Sequence, residues 1–274
     1  MKLKTIPLAA FMAITLAGFA SASTVLLSDN FNTVSGTQAT FNSFLATDQA
    51  GTLATVTYTT ELDGDGAGSY PVAPNYLTQH SNGGRMLLGG FHASTSYDVF
   101  ASLDHNFATD ANNLNQALEI KFNLDVNDSA ANSWFGTIAL GASKNLYSVN
   151  NAGNQFSSLF RDNGQTQQFS DGALVGDNAF QFADNDLITL VLSDTAGIGS
   201  AFSGNGSVAK MYVNSVLKAT YTDLGLGAND GYLSFEARGT KAYYDNLVIS
   251  AIPEPSAALL GGLGMLALLR RRRA

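Results

Sequence analysis

The alternation of apolar and polar residues along the middle of the chain predicts β-strands. Every even position of Leu118–Val126 is apolar, so one face of this segment belongs in a core and the other in water. Between residues 23 and 252 no stretch keeps a helical period for three turns, and Gly, Asn, Asp and Ser interrupt the strand-like runs. The pattern predicts twelve strands: Val25–Phe31, Ala54–Thr60, Arg85–Phe91, Phe100–Phe107, Leu118–Val126, Phe135–Ala142, Phe156–Arg161, Leu187–Ser193, Val208–Val213, Val216–Tyr221, Tyr232–Ala237 and Tyr243–Ile249.

This many short strands with turn residues between them predicts two stacked antiparallel sheets. The clearest hairpin is Val208–Tyr221, with Asn214 and Ser215 at its turn. Asn tolerates a positive φ but Ser suits the second turn position less well than Gly, so a longer or bulged turn is the alternative. Recognition surfaces concentrate on loops, and four long loops are predicted: Gly64–Tyr76, Asp110–Asn115, Asn145–Asn154 and Gly197–Gly206.

Residues 1–22 have the pattern of a secretory signal peptide rather than of a folded element. Lys2 and Lys4 precede an almost wholly apolar run from Ile6 to Phe19, and Ala20 and Ala22 form a small-x-small cleavage site. The alternative, an N-terminal membrane anchor, would need about 20 apolar residues. The sequence therefore predicts export, with residues 23–252 as one β-sandwich domain.

The last 22 residues form a second distinct segment. Pro253, Glu254 and Pro255 are followed by the apolar run Ser256–Leu269. Four arginines, Arg270, Arg271, Arg272 and Arg273, then precede Ala274. A helix of that apolar run would span roughly 21 Å, less than the roughly 30 Å hydrocarbon core, and the arginines would keep its end in the cytoplasm.

This arrangement resembles the PEP-CTERM sorting signal, in which a Pro-Glu-Pro triplet, a short apolar helix and an arginine cluster end the chain. The resemblance implies transient anchoring in the inner membrane and processing by an exosortase, in bacteria that typically make exopolysaccharide. The chain would then be retained on the cell surface or released. The alternative is an ordinary tail anchor that is never cleaved, although such an anchor would favour a longer apolar run.

Charge and composition exclude several classes of function. The whole chain has a net charge of −8, but six of its 14 basic residues lie in the two terminal segments, so residues 23–252 carry eight basic and 21 acidic residues. That balance argues against a nucleic-acid partner, which needs clustered Lys and Arg. Cysteine is absent from the sequence, which excludes disulfides, iron–sulfur clusters and cysteine nucleophiles.

Three short segments resemble concanavalin A-like (laminin-G-like) jelly rolls. They are the opening Leu27–Phe31, the hairpin segment Met211–Asn214 and the closing Tyr244–Ile249. The resemblance implies that the first and last strands pair near the edge of the domain. It does not select a function, because this fold includes lectins, adhesins, binding modules and glycoside hydrolases.

Strand parity singles out two aspartates as candidate metal ligands. Asp29 interrupts an apolar stripe in the first strand, and Asp245 interrupts one in the last. A carboxylate that faces a core must be hydrogen-bonded, paired or bound to a metal. If the terminal strands pair, Asp29 and Asp245 could share a structural Ca²⁺ with backbone carbonyls. The alternative is that each carboxylate accepts backbone amides at a strand end or bulge.

No complete catalytic constellation is present in the sequence. Glu61-Leu62-Asp63-Gly64 partly resembles the active-site strand of a glycoside hydrolase family, but Gly64 and Gly66 predict a solvated turn here. A glycoside hydrolase or lyase would draw its carboxylates from Glu61, Asp63, Glu119 and Glu236. The leading hypothesis is a non-catalytic, glycan-associated or adhesive surface protein; the alternatives are that enzyme and a purely structural matrix protein. Exposed aromatic rings could stack on sugars, and five are candidates: Tyr70, Tyr76, Tyr97, Trp134 and Tyr147.

Overall fold

The computed structural model describes the central part of the chain as strands with one short helix. It describes residues 22–32, 49–53, 56–64, 76–79, 84–90, 97–127, 135–143, 153–194, 202, 206–239 and 241–253. The signal-peptide and sorting-tail predictions, except for Ala22 and Pro253, therefore lie outside the described residues. The helix is α1 (Phe107–Asn113). The strands are β1 (Thr24–Asp29), β2 (Tyr58–Gly64), β3 (Tyr76–Gln79), β4 (Met86–Gly90), β5 (Tyr97–Asn106), β6 (Ala117–Asn127), β7 (Phe135–Gly141), β8 (Asn154–Arg161), β9 (Gln165–Ser170), β10 (Ala173–Gln181), β11 (Asp186–Asp194), β12 (Ser207–Val213), β13 (Val216–Leu224), β14 (Tyr232–Arg238) and β15 (Lys241–Ile252).

These strands form two antiparallel sheets, which confirms the predicted sandwich. The eight-stranded sheet has the order β13-β12-β11-β6-β15-β4-β3, and β1 pairs with the second half of β15. The seven-stranded sheet has the order β10-β9-β8-β7-β14-β5-β2. The first and last strands of the domain pair antiparallel, as the resemblance to concanavalin A-like jelly rolls implied.

The strand alternation fills the space between the sheets with aliphatic and aromatic side chains. Phe122 from the eight-stranded sheet makes edge contacts with Phe160 and Phe235 of the seven-stranded sheet. Tyr244 crosses the same space, and its hydroxyl lies 2.8 Å from the carbonyl oxygens of Thr137 and Glu236. Burial of large apolar side chains is the dominant stabilising contribution to such a core.

A glycine makes room for the Tyr244 hydroxyl. A Cβ at Gly136 would lie 3.1 Å from that hydroxyl and 3.0 Å from the Cβ of Ala242. The Thr137 amide donates to the hydroxyl oxygen across 3.0 Å. One buried tyrosine of β15 is thus hydrogen-bonded to both β7 and β14 of the opposite sheet, which couples the two layers.

The predicted hairpin is confirmed as β12 and β13. Val213 pairs with Val216, and the two turn residues Asn214 and Ser215 both have positive φ, 49° and 66°. Positive φ at both central positions is the conformation of a type I′ turn, which matches the twist of the flanking strands. The Asn214 amide group also donates to Asp186, at the start of β11, across 2.6 Å.

The predicted strands correspond to twelve of the fifteen observed, with shifted ends. The prediction omits β3, β9 and β10, and it places a loop at Asp110–Asn115 where α1 forms instead. The side chain of Asn106 caps this helix by accepting the amides of Ala108 and Thr109. Capping satisfies amides that lack an intrahelical partner, and buried Phe107 and Ala111 hold the helix against the core.

One further boundary differs from the sequence prediction. Glu61–Gly64 forms the end of β2 rather than a solvated turn. Asp184 and Asn185 form a turn before β11. Within the described ranges, no helix is both long enough and apolar enough to cross a membrane.

Candidate functional site

The outward-facing side of the seven-stranded sheet, called here the outer face, is organised in rows of cross-strand neighbours. Neighbouring residues in such a row point to the same side of a sheet and lie about 5 Å apart. The first row runs through Arg238, Phe135 and Arg161. The second runs through Phe100, Glu236, Thr137, Leu159, Gln167 and Asp177. The third runs through Thr59, Ser102, Ser234, Ala139, Ser157, Phe169 and Leu174.

The centre of the outer face is buried and polar. Glu236 is only 3% exposed, and its carboxylate accepts from the Thr137 hydroxyl across 3.3 Å. The hydroxyls of Ser102 and Ser234 hydrogen-bond to each other across 2.8 Å. Because these groups are inaccessible, the centre is not the part of the face that meets a large ligand.

Accessible polar groups lie instead on β8, β9 and β10. The Arg161 guanidinium donates to the Gln167 side-chain oxygen across 2.8 Å. The Gln167 amide nitrogen then donates to the Asp177 carboxylate, also across 2.8 Å. Arg161 and Gln167 are half-buried and Asp177 is exposed. Three planar polar side chains are thus fixed in a chain of hydrogen bonds beside the sheet edge.

An apolar strip borders this chain of hydrogen bonds. Phe135 and Leu159 are buried in a small cluster of their own, and half-buried Phe169 packs against them. Leu174 pairs with Phe169 and is 50% exposed. We call Arg161, Gln167, Asp177, Phe169 and Leu174 the edge site. It combines hydrogen-bonding groups with an accessible apolar surface.

The structure separates the two aspartates predicted to share Ca²⁺. β1 and β15 do pair, but Asn246 has a φ of 51° and the register shifts between Asp245 and Val248. This bulge reverses the side-chain parity of β15, so Tyr244 and Leu247 face the core while half-buried Asp245 lies on the other side. The expectation that Asp245 lies in one apolar stripe with Leu247 and Ile249 is therefore wrong.

Each of these aspartates has its own hydrogen bonds. Asp29 is 1% exposed; its carboxylate accepts the Phe31 amide and the Tyr58 hydroxyl, both across 2.9 Å. Asp245 accepts the Asn246 amide across 2.7 Å. These contacts match the alternative, amide acceptance at a strand end and at a bulge. Calcium binding by this pair stays an untested prediction without a shared site to support it.

A concentration of carboxylates occurs at one end of the sandwich, around Asp184. Partial desolvation and then the nearby charges of Asp125, Asp162 and Asp186 raise the pKa of the Asp184 carboxyl above its ordinary value. Arg85 forms an ion pair with Asp125 across 2.8 Å. Across the part of the chain that is described, no three His, Cys, Asp or Glu side chains are grouped so as to hold a metal ion.

The proposed catalytic pool is divided between the sheets. Glu119 lies in the eight-stranded sheet and pairs with Lys121 across 2.6 Å. Glu61 and Asp63 lie on β2, and Glu61 is in register with Phe100, which is in register with Glu236. The side chains of Glu61 and Asp63 lie outside the described part of the structure.

The edge site was not predicted from the sequence. Its five aromatic candidates for sugar contact, Tyr70, Tyr76, Tyr97, Trp134 and Tyr147, have side chains outside the described residues. Phe169, on a strand that the prediction omitted, supplies the described ring. The alternation Gln165, Gln167, Phe169 is a weak strand signal because most of that segment is polar on both faces.

Comparison with known proteins gives similarity at the level of architecture. No protein-family model matches the sequence, and no curated protein matches it. Similar solved structures include the metal-free carbohydrate recognition domain of Emp46p, with 10% identity and a TM-score of 0.45, covering 69% of this chain and 87% of that one. A protein of unknown function with a galectin-like fold from Bacillus subtilis has 9% identity and a TM-score of 0.43, covering 70% and 90%.

A third similar structure belongs to an enzyme. The carbohydrate esterase of Shiga toxin-encoding bacteriophage phi24B has 12% identity and a TM-score of 0.41, covering 84% of this chain and 98% of that one. Identities this low, with TM-scores below 0.5, do not indicate what this chain binds or whether it is an enzyme.

Proposed function

We propose that this protein is a non-catalytic, exported β-sandwich that binds glycan through the edge site. The observation that carries the proposal is the hydrogen-bonded chain Arg161–Gln167–Asp177 beside Phe169 and Leu174. The polar groups of the site are already joined by hydrogen bonds, so they are held in place before a ligand arrives.

The chemistry of the edge site suits a sugar ring. Sugars present hydroxyl groups around their rim and apolar C–H groups on their faces. Asp177 accepts hydrogen bonds, while the Arg161 guanidinium has five N–H donors of which one is used by Gln167. A half-buried phenylalanine provides apolar area for a ring face without leaving polar atoms unsatisfied. Polar groups that fix orientation beside an apolar wall are the usual composition of a small-ligand site.

We further propose that this binding function operates outside the cell, on the basis of the two predicted export segments. Signal-peptide cleavage after Ala22, then removal of the PEP-CTERM-like tail by an exosortase, would release the domain from the inner membrane. An adhesive or glycan-associated protein within an exopolysaccharide matrix is consistent with both segments. Its acidic composition favours solubility there.

The proposal is tested by measuring binding of the full-length chain to a glycan array and to soluble polysaccharides. We expect saturable binding without turnover, weakened about tenfold or more by Asp177→Ala, because a ligand hydrogen bond to a charged group contributes about 1.5–3 kcal/mol. Lys210→Ala, on the opposite sheet, is the matched control and should bind normally. A folded protein without saturable binding to any glycan would support the purely structural alternative.

The rival enzymatic function has one specific observation in its favour. Glu61 is in register with Phe100, and Phe100 with Glu236, so the Cα atoms of Glu61 and Glu236 are about 10 Å apart from strand spacing alone. The inverting geometry of glycoside hydrolases needs carboxyls about 6.5–9.5 Å apart. Release of reducing sugar during the binding assay, abolished by both Glu61→Gln and Glu236→Gln, would overturn the non-catalytic proposal.

A further inference from the structure

The positive charges of the domain are unevenly divided between the two sheets. In the described strands of the seven-stranded sheet, the only Lys or Arg residues are Arg161 and Arg238. Both lie in the first row of the outer face, one on each side of Phe135. The eight-stranded sheet carries the lysines of the described strands: Lys121, Lys210, Lys218 and Lys241. A strongly acidic domain thus places two arginines in one row, two strands apart, on the face that carries the edge site.

Arg161 differs from Arg85 and Lys121, each of which forms an ion pair with a carboxylate. Arg85 pairs with Asp125, and Lys121 pairs with Glu119. Arg161 forms no ion pair within the described ranges; its side chain donates only to the neutral oxygen of Gln167. A half-buried guanidinium retains its charge. It is therefore held in one orientation with most of its donors available.

A guanidinium of this kind matches a carboxylate. Its planar fork donates two parallel hydrogen bonds to the two oxygens, and such charge-assisted pairs are about twice as strong as neutral ones. Gln167 restrains the fork, so less side-chain entropy is lost when a ligand binds. The edge site thus lacks one component, an anionic group opposite Arg161.

We propose that the edge site binds acidic polysaccharide, with Arg161 pairing with the carboxylate of a uronic acid residue. This inference rests on the proposed glycan-binding function and specifies its ligand class. Asp177 accepts hydrogen bonds from hydroxyls of the same or the neighbouring sugar. Phe169 and Leu174 contact the apolar face of the ring. Each uronic acid residue supplies one carboxylate for Arg161, several hydroxyls for Asp177, and a C–H face for the apolar side chains.

An acidic polypeptide satisfies the site less well. It would bring carboxylates to Arg161 but no hydroxyl donors to Asp177, and its close-spaced charges would be repelled by that carboxylate. The net negative charge of the domain also opposes any polyanion that is not held by local contacts. A uronide presents donors and a single negative charge within one ring, so it complements both Arg161 and Asp177.

The test compares trigalacturonate with its methyl ester, which keeps the sugar rings and hydroxyls but removes the charges. Titration calorimetry with the full-length chain, in the presence of chelator, should give a dissociation constant at least about tenfold lower for the acid than for the ester. Arg161→Gln should abolish that preference, and Arg161→Lys should reduce it because the fork is lost. Lys210→Gln removes the same charge from the other sheet and should leave the preference intact.

A second variant tests the same inference if Arg161→Gln does not fold. Gln167→Glu gives Arg161 an internal ion-pair partner while the guanidinium stays in place, and it should lower the preference for the acid about tenfold. Melting temperatures of all variants show whether each is folded. Equal binding of acid and ester by the wild type, or a preference that survives both Arg161→Gln and Gln167→Glu, would overturn the uronic acid inference.

The possible outcomes separate this inference from the proposed function. Binding of acid and ester with equal affinity would leave glycan binding intact and remove only the role of the carboxylate. If neither ligand nor any neutral polysaccharide binds to folded protein, the proposed function itself fails. Binding of poly-L-glutamate as tightly as trigalacturonate would show that the site takes acidic polymers in general, which contradicts the sugar-specific role given to Asp177 and Phe169.

Discussion

Asp184 shows how the folded chain changes the chemistry of a single exposed side chain. It lies in the turn between β10 and β11, close to the carboxylates of Asp125, Asp162 and Asp186. Desolvation and these like charges raise its pKa, so the native state binds the Asp184 proton more tightly than the unfolded chain does. The contribution of Asp184 to the free energy of unfolding is therefore fully present at low pH, and it is lost as the pH rises through the pKa of this carboxyl in the native state.

Asp184→Asn should therefore raise the melting temperature at pH 7, because it removes a charge that the native state disfavours. The gain should disappear as the pH falls toward the ordinary aspartate value of about 3.8, where the wild-type carboxyl is also neutral. Thermal unfolding of both proteins between pH 3 and pH 8 measures the effect. A variant equally or less stable than wild type at pH 7 would contradict the assigned repulsion.

Asp186→Asn provides the contrast. Asp186 accepts the Ala183 amide across 2.7 Å and the Asn214 side chain across 2.6 Å, so its carboxylate is engaged in hydrogen bonds. Its replacement should not stabilise the protein at pH 7. The two neighbouring aspartates thus differ by their partners, which the sequence Asp184-Asn185-Asp186 does not reveal.

At the scale of an element, the bulge in β15 determines which residues enter the core. Before the bulge Ala242 and Tyr244 face inward; after it Leu247 and Ile249 do. Asn246 supplies the positive φ that this change of parity requires, and its side chain donates to Asn123 across 3.1 Å. Asn is one of the few side chains that adopt this conformation readily.

Asn246→Val should destabilise the domain by about 1–2 kcal/mol, because a β-branched residue is strained at positive φ. Asn246→Gly is the matched control; it loses the side-chain hydrogen bond but tolerates the backbone conformation, so it should cost less. Urea unfolding at equilibrium measures both changes. If Asn246→Val and Asn246→Gly lower the free energy of unfolding by the same amount, then Asn246 contributes through its hydrogen bond and not through the backbone conformation.

At the scale of the whole molecule, the two terminal segments predict that the mature protein is shorter than the encoded chain. Intact-mass analysis of the protein recovered from outside the cell should show loss of residues 1–22 and of the arginine cluster, Arg270–Arg273. Peptide mapping of the same sample gives the position of each cleavage. Detection of the Arg270–Arg273 peptide in the extracellular fraction would contradict exosortase sorting.

The retention of the arginine-rich end distinguishes the alternatives for this tail. A permanent tail anchor keeps Arg270–Arg273 with the membrane fraction, while the sorting hypothesis predicts their removal. Replacement of Pro253, Glu254 and Pro255 by alanines should block processing if the triplet is the recognition element. The apolar run is unchanged in that variant, so membrane insertion itself serves as the control.

Side-chain alternation made most of the sandwich predictable, because a strand with one face in the core must alternate. β6 and the β12–β13 hairpin carry that signal strongly, and both formed as expected. β9 was missed because most of its residues are polar on both faces, and β10 was missed because it is an edge strand in which nearly every residue is exposed. The edge site was missed with them: its three polar groups come from strands whose pairing had to be known first.

The sequence by itself determined the all-β architecture and the two candidate export segments, because these depend on local periodicity and composition. The pairing of the terminal strands was implied by the resemblance to concanavalin A-like jelly rolls and not by the local pattern. Only the tertiary structure decided which carboxylates meet. The bulge at Asn246 placed Asp29 and Asp245 on opposite sides of one sheet, and the register of β8, β9 and β10 brought Arg161, Gln167 and Asp177 together. Strand register and bulges are set by packing between distant segments, so the local pattern does not encode which side chains become neighbours.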